Sequence, residues 1–444
     1  MKPRSPVRGP SRREWLRWLA LTSASLGVAA NCGDNATQTP APRDITAAVL
    51  EPAPDGFVVA IWSAQAVRVF VTVEDVASGI SVATQIHTIA ATDSAHAWFT
   101  GLAPATRYRV MLEFADGREL GPYLAQTRPP PDSNAPLRLL VAADIDPSSD
   151  YESPIFAAMT QYAADSAVSI GDFPYADNGP NVAKTVAAYR AVHADARSTP
   201  KIARWLASST LCAIYDDHEF RNDWAPRFVA SEAERYAAAM QVYDEFFPQP
   251  GAAPNVRYRV WQWGAQVDGF MLDCRRFRAE PSDPAGPQKS MLGAVQKRWF
   301  LQRLAASTAP CKLIFTSVPL DFGVGNEHWN AYAHEREEIF AAISAADIRG
   351  VVFISADQHW FEARRYDNGA REFQIGAVAR GIGEPPPLRA GILARALTYN
   401  FAALEIADGQ IQFRALDADG KLLYGELLDA GSLRIQQPLG PRRA

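Results

Sequence analysis

Four apolar runs in this chain end in side chains able to bind a metal ion or move a proton. Leu137–Ala143 runs into Asp144-Ile145-Asp146, and Ala167–Gly171 into Asp172-Phe173-Pro174-Tyr175. Ala213-Ile214 runs into Tyr215-Asp216-Asp217-His218-Glu219, and Val351–Ala356 into Asp357-Gln358-His359-Trp360. In open α/β sheets the residues just beyond the carboxyl ends of strands line the ligand crevice. A single Asp or His at such a place is more often a helix cap or a satisfied polar group. Four such ends predict one shared metal centre, built from hard oxygen ligands with one or two imidazoles.

The rest of the chain must position those ends. With 444 residues, 48% of them apolar, it can bury a large core, and its length favours two domains plus a processed leader. The net charge of −5 supplies no basic field for nucleic acid, and a monomeric state is expected. Arg12-Arg13 precedes an apolar stretch from Trp18 to Ala30 that is too short for a membrane span. Residues 1–32 resemble a twin-arginine export signal, which predicts a periplasmic or cell-envelope location. Ala29-Ala30-Asn31-Cys32 resembles a lipoprotein box with an atypical Asn before the Cys, whereas Val28-Ala29-Ala30 resembles a soluble-type cut. Lipidation of Cys32 would make residues 33–43 a tether. Cys212, Cys274 and Cys311 are an odd set with no zinc-ligand spacing, so no disulfide framework is expected.

Residues 44–127 read as strands separated by Gly, Asp and Ser turns, which predicts a small β-sandwich. Gly101-Leu102-Ala103-Pro104-Ala105-Thr106-Arg107-Tyr108 resembles the tyrosine-corner region of fibronectin type III modules, with Tyr108 bonding back across the corner. Arg128-Pro129-Pro130-Pro131-Asp132 reads as a stiff linker. Beyond it strands alternate with helical stretches, such as Gly293–Ala306 before Cys311–Thr316, which implies an α/β sheet covered by helices. Thr398–Ile406 and Ile411–Leu416, split by Asp408-Gly409, predict a closing hairpin. There is no P-loop and no dinucleotide fingerprint.

The order Asp144, Gly171-Asp172-x-x-Tyr175, Asp217-His218-Glu219 and Asp357-x-His359 resembles the calcineurin-like metallophosphoesterases and, within them, the PhoD-type alkaline phosphatases. Tyr215–Trp224, Leu272-Asp273-Cys274-Arg275, Ser290–Gln296, Ser317-Val318-Pro319-Leu320 and Trp329-x-x-Tyr332 carry the resemblance. It implies a metallophosphoesterase αββα sandwich over residues 137–430, preceded by the fibronectin type III-like sandwich. It also implies that Asp172 bridges two metals, that Asp144, Tyr175 and His359 complete the first site, and that Asp217 and Asp357 form the second. A Tyr175 phenolate suits iron(III), and the oxygen-rich second site suits calcium, another divalent pair being the alternative; otherwise Tyr175 is a packing aromatic.

His218 would then face the phosphate, stabilising charge or protonating the leaving oxygen. Arg275 would clamp a phosphate oxygen, or form a buried salt bridge with Asp273 or another carboxylate. Asp216 or Asn222 would fill a further ligand position, or else cap and solvate. His328 and His334 read as rim residues, and His87, His96 and His193 lie outside the constellation. Many family members carry Cys where Asp144 stands, so no thiolate ligand is assumed. Ser317-Val318-Pro319 and Asp357 stand where the related purple acid phosphatases place two further His ligands.

The expected function is an exported dinuclear-metal phosphoesterase that hydrolyses phosphate mono- or diesters by direct attack of a metal-activated hydroxide. One alternative is a phospholipase-like diesterase on lipid head groups, favoured by a broad apolar pocket around Trp329 and Tyr332. Another is a surface-anchored binding protein that has lost turnover.

Overall fold

A computed structural model describes residues 44–146, 154–178, 182–251, 256–321 and 325–436. The expected export signal, Cys32 and the 33–43 tether lie outside the described residues.

The first seven strands are β1 (Ile45–Ala53), β2 (Gly56–Ser63), β3 (Val67–Asp75), β4 (Ser81–Ile89), β5 (Asp93–Phe99), β6 (Arg107–Phe114) and β7 (Glu119–Gln126). Period-2 alternation decides their faces, as in β6, where Tyr108, Val110, Leu112 and Phe114 point inward. Sheet β4-β3-β6-β7 packs on β1, β2 and β5 around a core that includes Val49, Val59, Val71 and Leu112. The tyrosine corner is formed: the Tyr108 hydroxyl accepts from the Ala103 N–H at 2.9 Å and donates to the Ala103 carbonyl at 3.3 Å.

The sandwich is joined to the larger domain through a strand edge. The next strands are β8 (Leu137–Ala142), β9 (Ser166–Ile170) and β10 (Thr210–Ile214), and β1 pairs in parallel with β10 at Leu50–Leu211. This is why β1 is buried on both faces, with Val49 in the sandwich core and Leu50 under the helices of the larger domain. The expected Pro-rich linker is packed: Arg128 donates its N–H to the Ala53 carbonyl, and its guanidinium lies 5.1 Å from the Trp261 ring.

The second sheet is built from β11 (Arg259–Trp263), β12 (Val267–Met271), β13 (Cys311–Phe315), β14 (Val351–Ser355), β15 (Phe361–Arg365), β16 (Arg371–Gln374) and β17 (Ile392–Ala396). Strands β18 (Asn400–Ala407), β19 (Gln410–Asp417) and β20 (Leu422–Asp429) extend the first sheet beside β8 and include the expected closing hairpin. Leu139, Val141, Met271, Leu313, Phe373 and Phe413 belong to the core between the sheets.

Helices α1 (Ile155–Gln161), α2 (Val186–Ser198), α3 (Pro200–Leu206), α4 (Pro226–Ser231) and α5 (Ala233–Phe246) cover the outside of the first sheet. Helices α6 (Gly293–Ala306) and α7 (Ala333–Ala345) cover the second, giving the αββα layering. Cys212, Cys274 and Cys311 are free and buried. Among the described residues no helix is long and apolar enough to cross a membrane.

Candidate metal centre

Strands β8, β9 and β10 are parallel neighbours in one sheet, and β14 lies in the other, so their carboxyl ends meet where the two sheets face. At the ends of β8, β9 and β14 the backbone takes the left-handed turn, with φ 57 at Asp144, 57 at Asp172, 76 at Asp357 and 63 at His359. Asp tolerates that conformation better than most residues, and it turns each side chain out of its strand's alternation toward the cleft.

The four ends supply three overlapping groups. Asp144, Asp172 and His359 each offer a ligand atom within 4.8 Å of the others, as do Asp172, Asp217 and His218, and as do Asp216, Asp217 and Asp357. Asp172 belongs to two of them, as a bridging carboxylate must.

The donor set fits a pair of hard cations. Asp144 Oδ2 and Asp217 Oδ1 are buried with no hydrogen-bond partner, although buried polar oxygens are nearly always satisfied. Gly376 makes room for the first of these, since a Cβ there would lie 1.9 Å from Asp144 Oδ2. Burial and then neighbouring carboxylates push the Asp144, Asp172 and Asp357 carboxyls well above their usual range, a repulsion that bound cations would invert. Asp217 goes the other way, to about 2, because Arg275 and then His218 outweigh its burial.

Neighbours orient the candidate ligands. His359 Nδ1 lies 2.8 Å from the Gly381 carbonyl, which can only accept, so Nδ1 carries the proton and Nε2 presents its lone pair. That Nε2 is 3.0 Å from the Tyr175 hydroxyl, so Tyr175 reaches the centre through its oxygen as well as packing. Burial pushes the Tyr175 hydroxyl well up and His359 down to about 4. The His218 N–H donates to Asp172 Oδ1 at 3.2 Å, and its ring lies 4.1 Å from that of Tyr175.

Arg275 occupies the ion-pair alternative. Its side chain is fully buried, with Nε 2.6 Å and Nη2 2.7 Å from the Asp216 oxygens, and it also pairs with Glu327, Asp357 and Asp217. Of the two alternatives, the structure shows the salt bridge: Arg275 braces the carboxylates of the third group, with Asp216 as its main partner. Ser317 Oγ donates to the same Asp216 at 2.5 Å. The guanidinium does not pair with Asp273, whose carboxylate accepts from the Tyr215 hydroxyl and from the backbone N–H of Arg275. Asn222 is exposed, and its backbone N–H donates to Asp177.

Three residues of the surrounding shell were given no role by type and spacing, although Glu219 stands in the motif. Asp177 Oδ1 is 2.7 Å from His218 Nδ1. Glu219, pushed up to about 7 by burial, accepts from the N–H groups of Phe173 and Asp216 at 3.0 Å each and so ties the β9 and β10 ends together. Arg380 lies with its guanidinium 4.7 Å from the Tyr175 ring. The acidic residue two positions past Tyr175 was the available signal for Asp177. Trp329 and Tyr332 are core, bonded to Thr316 and to the Ala279 carbonyl. His334 is exposed as expected, whereas His328 is buried against the Gly325 carbonyl.

The PhoD-like phosphatase family matches residues 149–421, more than half of the chain. The chain belongs to that family. Alkaline phosphatase D of Bacillus subtilis (strain 168) is 27% identical over an alignment 315 residues long that covers 60% of this chain and 53% of that protein, so the chain spans about half the length of this curated relative. The solved structure of PhoD superposes with a TM-score of 0.75 at 19% identity, covering 89% of this chain and 90% of that one. The purple acid phosphatase from yellow lupin (Lupinus luteus) seeds gives 0.62 at 12% identity, covering 86% and 74%. At these identities the two structures speak for the shared metallophosphoesterase fold. In this PhoD-like chain the acidic groups sit at the strand ends of that fold.

Proposed function

We propose that the chain is an exported, metal-dependent phosphoesterase acting on phosphate mono- or diesters. The observation that carries this is the run of overlapping ligand groups that share Asp172 and Asp217, in a chain of the PhoD-like family. A bound metal pair supplies an activated water and neutralises the oxygens of the phosphate.

The protein's own groups have separate tasks. Asp144, Asp172, Tyr175 and His359 hold a trivalent ion such as iron(III), for which a phenolate is a hard ligand. Asp172, Asp217 and Asp357 hold calcium or another divalent ion. His218 serves the substrate, and Arg275 keeps the carboxylates of Asp216, Asp217 and Asp357 from repelling one another. The lipid-diesterase alternative loses its motive, because Trp329 and Tyr332 are buried core.

Metal-loaded protein should hydrolyse a chromogenic phosphate ester at alkaline pH, and Asp172→Ala should lose both turnover and bound metal on elemental analysis. Metal-replete wild type without turnover would instead support the inactive binding protein. Full metal content in Asp172→Ala would remove the bridge. Export rests on Arg12-Arg13 and the apolar run behind them. Replacing both arginines with lysine should leave the protein in the cytoplasm of its host, while radiolabelled lipid on Cys32 would establish the anchor.

A further inference from the structure

The candidate ligands are acidic, and the two arginines deepest in the site are already engaged. Arg275 and Arg278 are fully buried, and both pair with Glu327. Arg380 differs, because a third of its side chain is exposed while it remains against the ligand residues.

Backbone pairing fixes its place. Beyond β16 the chain runs beside the end of β8: the Val378 N–H donates to the Ala143 carbonyl, the Ala379 N–H to that of Asp144, and the Asp146 N–H to that of Ala379. The next carbonyl but one, Gly381, holds His359. Residues 378–381 are thus tied to two candidate ligands at once, and Arg380 cannot drift relative to either.

Its head group is aimed as well as anchored. Nη1 is 2.5 Å from Asp146 Oδ2, Nη2 is 3.3 Å from Asn178 Oδ1, and the Asn178 amide donates to the same Asp146 oxygen at 3.1 Å. The guanidinium lies over the Tyr175 ring, whose hydroxyl is at His359. A guanidinium has five N–H donors in a rigid fork, and Asp146 and Asn178 occupy only part of it.

We infer that Arg380 is a substrate-contacting residue that selects for phosphate monoesters, its guanidinium receiving the oxygen that carries the second negative charge. A monoester at alkaline pH is a dianion, whereas a diester has one charge and a second organic group at that position. A fixed cation at the mouth of an acidic site therefore favours the first over the second. This inference rests on the phosphoesterase proposed above.

The test compares full-length, metal-loaded wild type with Arg380→Gln and Arg380→Lys on p-nitrophenyl phosphate and bis(p-nitrophenyl) phosphate. A charge-assisted hydrogen bond of ordinary strength predicts that the monoester-to-diester ratio of kcat/KM falls roughly tenfold to a hundredfold in Arg380→Gln. Arg380→Lys should recover part of it, and metal content should stay that of the wild type. Equal losses on both esters, no loss, or loss of metal would overturn the inference, since a brace acting through Asp146 or Tyr175 does not discriminate between esters. If wild type turns over neither ester, the phosphoesterase itself fails. Calorimetric titration of inorganic phosphate then still decides, with unchanged affinity in Arg380→Gln overturning the role of the arginine.

Discussion

Asp177 holds His218 by its inner nitrogen: Oδ1 is 2.7 Å from Nδ1, while Oδ2 accepts the Asn222 N–H. The carboxylate can only accept, so it keeps the proton on Nδ1 and directs Nε2 elsewhere, and with Asp217 it raises the basicity that burial would lower. His218 also falls within ligand range of Asp172 and Asp217, so geometry allows either task. As general acid, His218→Asn should cut turnover about a hundredfold to ten-thousandfold, most for esters with poor leaving groups, with normal metal content. Asp177→Asn should reproduce part of that leaving-group dependence. Metal lost on elemental analysis of His218→Asn would make the histidine a ligand.

Tyr175 is expected to colour the protein. A phenolate on iron(III) absorbs in the visible, and the hydroxyl stands at His359 within reach of Asp172. Tyr175→Phe keeps the ring on which Arg380 and His218 stack and deletes only the oxygen, so the band should vanish while thermal stability stays near that of the wild type. A colourless wild type with full turnover would leave a divalent pair.

Gly376 gives a steric test of the first group. Its φ of 94 and the 1.9 Å that would separate an added Cβ from Asp144 Oδ2 mean that alanine must displace the carboxylate. Left-handed backbone alone costs on the order of 1–2 kcal/mol for a residue with a Cβ. Gly376→Ala should therefore lower the Tm and weaken metal binding together, and metal affinity equal to the wild type would show that Asp144 is no ligand.

The strand-to-carboxylate junctions were legible because a parallel strand buried on both faces is a short apolar run, and Asp144, Asp172, Asp217 and Asp357 each interrupt one. Tyr108 was legible for a similar reason, since its corner is a local motif. Arg275 was left with two alternatives because its partner depends on how close the β10 and β12 ends come, which no local pattern encodes. The same holds for Arg380, whose neighbours Asp146 and Asn178 are more than 200 residues away in the chain. The joining of β1 to β10 was hidden because a run buried on both faces reads the same whether its second neighbour is its own hairpin or another domain.

Acid should unsettle the helical layer through a buried histidine. His193 stacks on Phe246 at 4.7 Å, and its Nδ1 faces Arg197, whose guanidinium is enclosed by Phe173, Phe246 and Phe247. Burial, and then the arginine charge, hold the imidazole well below its usual pKa of 6.5, and burial likewise pulls Arg197 down to about 9. A histidine that is neutral when folded but protonates normally when unfolded gives the unfolded state more bound protons below pH 6.5. Its contribution is therefore intact above that pH and lost as the pH falls below it, at up to ~1.4 kcal/mol per pH unit until the folded group itself titrates. His193→Gln keeps an acceptor for Arg197 and cannot titrate in this range. In denaturant unfolding at pH 7.5, 6.5 and 5.5, wild type should lose stability more steeply than the variant over the last interval only. Parallel losses in the two proteins would mean that His193 is protonated in the folded state and that the acid sensitivity belongs to the carboxylates.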